Sequence, residues 1–384
     1  MFGRKKVIGI DIGTTAIKLI EAETIPAGIK INRIDLFPLA PSGKREEIFS
    51  KIIEEEGPGG LSLSLPGSCL LSRPVSTPII SRAKIPSIIK IEVQHKLPFP
   101  LEGVVWSYQN LGHRENALDF LVGAVKKELI DGFLKGILPL NVNIQFLDTD
   151  PFALLNLLYY KEGEAKKTVV LLEIGERSSN LIIVFGNQIL IRSLTVSGRT
   201  FTETLREEMG VEVEEAERVK KEPRETILPS FVPIMESFLS EIQNSIDYWR
   251  FTQRGPEVEA FYVTGGSSRL PGLLHFLNEK LRLKVEEFNP LSKFILEDPL
   301  KKKLEENLHL FPVPLGLALR LQNLTWIDLN FLPTSYIQKR EIRKIELMSI
   351  FLWVWRLFWL LALLSFYARK WLSESSYLMM CRII

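Results

Sequence analysis

The sequence predicts an α/β protein of two similar lobes followed by one membrane-spanning helix. Three observations carry that expectation. Val7–Ile12 is an apolar strand ending in Asp-Ile-Gly, Ala16–Ala22 alternates as a second strand, and a third begins at Gly28 with "GIKINRIDLF". From Val169 the plan returns as "VVLLEIGERSSNLIIVFGNQILIRSL", with Glu173 and Gly175 each 162 positions after Asp11 and Gly13. Near the end, Leu347–Ala368 runs for 22 residues with a single charge, Arg356.

Two hairpin-plus-strand units imply two sheets with helices, meeting across a cleft. A tight turn at Gly13 followed by Thr14 and Thr15 can present backbone N–H groups to a phosphate, and so can the residues after Gly175. One such turn is commonplace, because glycine and small hydroxyl residues suit hairpins anyway. Its repetition is what argues for a ligand between the lobes. Further along, "FYVTGGSSRLPGLLHFLNEKL" reads as a strand, a turn at Gly265, Gly266 and Ser267, and an amphipathic helix with Pro271 near its start. This turn too can bring backbone close to a ligand. In "AERVKKE", Glu217 and Lys220 share a helical face, where they either meet a ribose and line an adenosine slot or simply face solvent.

These motifs, in this order, resemble the nucleotide-binding motifs of the actin-like ATPase superfamily. Within it the chain is similar to the PilM family of type IV pilus assembly proteins, through "LSLPGS", "IEVQHKLPFPLEGVVWSYQNLG", "FLVGAVKKELIDGFLKGI", "LDTDPFALLNLL" and "VPLGLALR". The resemblance implies ATP and Mg²⁺ as cofactors and two RNase H-like lobes. The first would cover 1–160 with a small subdomain inserted at about 65–145, and the second 161–324 with a helical subdomain at about 200–257. It also implies that Asp11 and Glu173 hold Mg²⁺ through water. Gly13, Thr14, Thr15 and Gly175 would grip phosphates, with Lys18 joining them if its strand's register allows. Glu217, Lys220, Gly265, Gly266 and Ser267 complete the expected nucleotide site.

Hydrolysis is less well provided for. The superfamily's usual aspartate at the second turn is replaced by Glu173, whose extra methylene shifts the carboxylate by about 1 Å, a displacement that can cost about 100-fold in rate. Asp150, in "DTDP", resembles the acidic residue that positions water in some relatives, and it is equally suited to cap the helix that follows. The expectation is a protein that holds ATP and hydrolyses it slowly or not at all.

The apolar run at 347–368 would span roughly 33 Å as a helix, enough for one membrane crossing. A buried core helix is the alternative, but only 369–384 follow, too short a tail to cover it. Arg356 costs about 2.5–3.5 kcal/mol near mid-span, which its apolar neighbours offset. No apolar leader follows "MFGRKK", so the large N-terminal part is expected to stay cytoplasmic, at a bacterial inner membrane. Between the lobes and the span, 325–346 contain "IDLNFLPTSYIQKREIRK", which resembles the start of the PilN-type partner that PilM-type proteins grip. The whole order resembles GspL of type II secretion, and an ordinary linker is the plainer alternative. Ile327, Leu329, Phe331 and Leu332 form an extended strip that Pro333 stops. It would seat in the chain's own groove, or in a neighbour's to make a homo-oligomer.

Composition narrows the functional classes. With 48 Lys+Arg against 46 Asp+Glu, net +2, the chain has no overall basic field for nucleic acid. The two cysteines, Cys69 and Cys381, make a disulfide framework or zinc site implausible. The function expected is an ATP-binding scaffold of the platform for type IV pilus assembly or type II secretion. It would couple a cytoplasmic assembly ATPase to membrane partners of the PilN/PilO or GspM type. The alternative is a membrane-anchored, polymerising FtsA-like protein, although FtsA anchors through an amphipathic helix and 347–368 is apolar all round.

Overall fold

The computed structural model describes residues 6–338, except 40–44, 57–59, 115–116, 138–139, 141, 164–165, 224 and 323, together with 349 and 352–366. The chain forms two compact units, one ending at Phe331 and the other starting at Leu332.

The first unit opens with an antiparallel meander of β1 (Lys6–Ile12), β2 (Ala16–Ile25) and β3 (Gly28–Pro38), followed by α1 (Arg45–Glu56) and β4 (Gly60–Leu65). A three-stranded antiparallel sheet is inserted next, from β5 (Leu71–Pro78), α2 (Ile85–Lys96), β6 (Val104–Arg114) and β7 (Ala117–Lys126), in the order β5-β7-β6. Ile85, Ile89 and Val93 of α2 bury one helical face among Val75, Phe120 and Val122, a core of its own. The chain then passes through α3 (Lys127–Lys135) to β8 (Ile144–Thr149), which lies parallel to β4 at the sheet edge. α4 (Asp150–Glu162) carries it to the second sheet.

That sheet repeats the meander as β9 (Thr168–Ile174), β10 (Ser179–Phe185) and β11 (Gln188–Leu194). Four helices follow around β12 (Val258–Thr264): α5 (Gly198–Met209), α6 (Val213–Lys221) and α7 (Val232–Asp247) before it, α8 (Leu273–Leu281) after it. β13 (Val285–Glu287) closes the order β11-β10-β9-β12-β13. β14 (Phe294–Ile295) returns to pair with β3, completing the first sheet as β14-β3-β2-β1-β4-β8, and α9 (Asp298–Glu306) leads to α10 (Pro312–Leu321).

The central strands are apolar almost throughout, not alternating, because helices cover both faces. Val7, Ile8 and Ile10 of β1 and Val169 to Leu172 of β9 are all buried, each such side chain contributing about 1.5–3 kcal/mol. α10 lies on β1 and α4 with no room to spare. A Cβ on Gly9 would sit 2.4 Å from Pro314 O, and one on Gly316 would sit 2.0 Å from Ala153 O. Glycine at both positions is what lets two backbones touch.

In the second unit the helical residues are 334–338, 349 and 352–366. Along 352–366 the apolar side chains are exposed on every face, Trp353 at 72%, Leu357 at 58% and Phe366 at 64%. Among the described residues no helix is long and apolar enough to cross a membrane. The remainder of the expected span, at 347, 348, 350, 351, 367 and 368, lies outside the described residues.

Candidate functional site

The two repeated meanders make the same turn. Gly13 N–H donates to Ala16 O at 3.1 Å, and Gly175 N–H donates to Ser178 O at 3.1 Å, each atom pair displaced by the same sequence offset. Antiparallel pairing sets Lys18 beside Asp11 in the first sheet and Asn180 beside Glu173 in the second. Both neighbours reach across: Lys18 Nζ lies 2.7 Å from Asp11 Oδ2, and Asn180 Nδ2 donates to Glu173 Oε2 at 2.5 Å. A third turn follows β12. Gly265, at φ +93°, packs against the Ile174 backbone where a Cβ would lie 2.5 Å from its carbonyl oxygen, and Ser267 N–H donates to that oxygen at 3.0 Å.

The three turns wall one cavity of about 770 Å³, within the roughly 300–1,000 Å³ usual for small-molecule sites. Every residue expected from the sequence lines it: Asp11, Gly13, Thr14, Thr15 and Lys18 from the first turn, Glu173 and Gly175 from the second, and Gly265, Gly266 and Ser267 from the third. Glu217, Lys220 and Asp150 complete the wall.

Its floor is acidic and dry. Burial, then the negative charges of Asp11 and Glu173, push the Asp150 carboxyl well above the usual carboxylate range. Burial lifts Glu173 to about 7 against the opposing hydrogen bond from Asn180. Burial works against the charge of Lys18, but the carboxylates around it, Asp11 foremost, hold its pKa above the ordinary lysine value. Within this acidic floor Lys18 is the group that could meet a polyphosphate, which would have to displace Asp11 from it. Asp150 Oδ1 is shut off from solvent, and Ser64 lies beside the carboxyl. For Mg²⁺ the donors fit only through water. Among the described residues no three His, Cys, Asp or Glu side chains cluster to hold a metal directly.

Two expected residues have roles different from the simplest reading. Asp150 is not the helix cap: Thr149 holds that position, and Asp150 is the first residue of α4. Lys220 is buried and tied down, donating to Gly198 O at 3.2 Å, to Thr202 Oγ1 at 2.7 Å and to Glu217, so it staples α6 to α5 at the cavity rim. These bonds also hold the Glu217 carboxyl below the usual range, against burial that would raise it. The sequence reading missed Glu176, Arg269 and His309, all in the wall. Burial, then Arg269 and Lys18, lowers His309 to about 4, so it is neutral at physiological pH. Glu176 and Arg269 stand within the quoted turn motifs, and Asn180 had a signal in its place 162 residues after Lys18.

A second feature lies on the far side of α4 and β8. Residues 326–331 run along them as an extended strip in which Ile327, Leu329 and Phe331 are buried. Asn156 of α4 holds both polar groups of one residue: Ile327 N–H donates to its Oδ1 at 2.8 Å and its Nδ2 donates to Ile327 O at 3.0 Å. The Asn330 side chain stands in for a strand at the sheet edge, accepting from Leu147 N–H at 3.1 Å and donating to Gln145 O at 3.2 Å. Phe331 N–H donates to Leu147 O at 2.8 Å, and its ring stacks on Phe152. Arg320, at the end of α10, donates to Ile327 O at 2.6 Å and to Leu329 O, while its Nε lies 3.0 Å from Asp148 Oδ2.

Two meanders of like turn, a ligand-sized cavity between them and helices crossing from one sheet to the other define an actin-like ATPase fold. A family model for the type IV pilus assembly protein PilM matches residues 9–322. The chain belongs to the PilM family. Among solved structures it is similar to one described as a PilM–PilN type IV pilus biogenesis complex, at 27% identity and a TM-score of 0.71, covering 83% of this chain and 98% of that one. It is similar at 15% identity and a TM-score of 0.41 to the ethanolamine utilization protein EutJ from Carboxydothermus hydrogenoformans, covering 81% of this chain and 88% of that one. The MamK double helical filament matches at 14% identity and a TM-score of 0.43, over 83% of this chain and 98% of that one.

Proposed function

We propose that this chain is an ATP-holding scaffold at the cytoplasmic face of a bacterial inner membrane, in the platform that assembles type IV pili. The observation that carries the nucleotide is the convergence of three glycine turns and Lys18 on one cavity of about 770 Å³. Glu173, held by Asn180, takes the place of the shorter carboxylate that hydrolysis favours, so ATP fixes the arrangement of the lobes and is turned over slowly. Mg²⁺ enters with the nucleotide and meets Asp11 and Glu173 through water. The pilus platform is favoured over type II secretion by family membership.

The partners proposed are PilN- and PilO-like membrane proteins and the cytoplasmic assembly ATPase. Residues 325–346 would play the part of a PilN-type peptide and its linker. Helix 352–366, apolar on all sides, would lie in lipid as the core of a single span. The lobes are proposed to divide at about residue 160, with 65–145 and 200–257 as their inserted parts.

The test is ATP binding and turnover by the full detergent-extracted chain, with identification of the membrane proteins that co-purify. Submillimolar Mg²⁺-dependent ATP binding and recovery of pilus-platform proteins are expected. Turnover above about one per minute, the scale of nucleotide switches hydrolysing unaided, would overturn the holding role. ATP-dependent filaments would favour the polymerising alternative.

A further inference from the structure

Three elements that receive the strip 326–331, namely β8, α4 and α10, border the nucleotide cavity or lead into it, whereas β6, whose Gln109 accepts from Asp328 N–H at 3.3 Å, does not. β8, which pairs with Phe331 and the Asn330 side chain, leads directly into Asp150. α4 begins with Asp150 in the cavity wall and holds the strip at Asn156, about 9 Å along its axis. α10 begins with Pro312 and Val313 in the same wall and ends at Arg320, which grips two strip carbonyls. The two helices are locked at Gly316 and Ala153, so neither shifts without the other. Tyr159 extends the linkage, stacking on Trp326 with ring centroids 4.0 Å apart and donating to Gly186 O at the β10–β11 turn.

The geometry points to a built-in ligand: residues 326–331 occupy a peptide groove of their own chain and brace α4 and α10 in the position that retains nucleotide. Strip seating and nucleotide retention are then reciprocally linked, as any two ligands of one conformational state must be. Six residues separate Arg320 from Ile327, so the groove sees its own strip at an effective concentration of order millimolar. A free peptide of micromolar affinity cannot compete at ordinary concentrations. The inference rests on the nucleotide reading of the cavity.

The experiment uses the full chain in detergent, a fluorescent ATP analogue chased with unlabelled ATP, and a synthetic peptide of sequence WIDLNFLP. Asn330→Ala removes the two strand-like bonds with little loss of packing, and Asn330→Ala with Phe331→Ala also removes the ring. Analogue dissociation is expected to accelerate at least about fivefold, the lower end of typical allosteric coupling, with excess peptide restoring the parent rate. The peptide should bind the variants and not the parent. Dissociation within twofold of the parent in both variants, or equal peptide binding by parent and variants, overturns the inference. If no form binds the analogue, the nucleotide reading fails, and peptide binding confined to the variants would still establish that the groove is self-occupied.

Discussion

Asp148 and Arg320 face each other with Oδ2 and Nε 3.0 Å apart, at 0% and 1% side-chain exposure. The two atoms are out of line for a hydrogen bond, so the attraction is ionic. It is also lopsided. The guanidinium has carbonyl partners in the strip, whereas burial lifts the Asp148 carboxyl to about 6 despite the arginine beside it. Arg320→Met should therefore cost about 3–5 kcal/mol, the usual cost of stranding one member of a buried pair. Asp148→Asn should cost about 1 kcal/mol or less. Chemical denaturation of both variants measures the asymmetry.

The same carboxyl sets a sign for pH. A group whose folded pKa is raised stabilises the fold at low pH and loses that contribution as pH rises through the folded value. Between about pH 4 and 6 the parent should lose stability relative to Asp148→Asn, with the loss levelling off above about 6. Equal slopes for the two proteins would show that Asp148 does not titrate there.

Nucleotide binding should carry its own pH dependence. As pH falls from 8 to 6, Glu173 gains a proton near 7, so the cavity loses negative charge facing a polyphosphate. Mg²⁺-free ATP should bind about three- to tenfold tighter at pH 6 than at pH 8, one pKa unit being tenfold in equilibrium. Glu173→Gln should flatten the dependence. His309, neutral above about 4, contributes nothing over this range. Fluorescence titration at constant ionic strength reads both proteins.

The adjacent glycines of the third turn separate folding from binding. At Gly266 a Cβ meets only Leu310 Cδ2, at an ordinary 3.6 Å, so Gly266→Glu should fold normally while its carboxylate fills the cavity and abolishes ATP binding. Gly265 has φ +93° and a Cβ there collides with the Ile174 backbone, so Gly265→Ala should unfold the turn and lower the melting temperature. Circular dichroism with ATP titration distinguishes the two outcomes.

Membrane attachment is tested by washing. A chain held by helix 352–366 in lipid should stay with membranes through alkaline carbonate and high salt, because apolar burial is not screened. Arg356→Leu should insert more efficiently without changing ATP affinity. Release by salt would mean that charges hold it instead.

The walls of the cavity were legible in the sequence because they are built from short repeated turns. Asp11, Gly13, Glu173 and Gly175 announce themselves by a common offset, and β-strands with glycine turns fix their own geometry over few residues. Asp150 was placed on the right helix, but its position within the first turn depends on where Thr149 leaves β8, which no local pattern specifies. His309 carried no signal, because it reaches the cavity only through the chain's return from the second sheet, whereas Arg269 stands in the third turn's own motif. The strip was recognisable by its alternation. Its receptors, Asn156 and Arg320, were not, since a buried polar residue in an apolar helix looks the same whatever it binds.

Leu147 and Asn330 meet across 183 residues of chain, which gives the strip a place in time as well as in space. On a ribosome adding about 5–20 residues per second, the β8 and α4 side of the groove is made roughly 10 to 40 s before the strip, whereas Arg320 of α10 precedes Ile327 by less than about 2 s. During the longer interval the β8 and α4 side stands without its α10 side, beside other nascent chains of the same messenger. A strip from a neighbour that entered first would yield an exchanged pair.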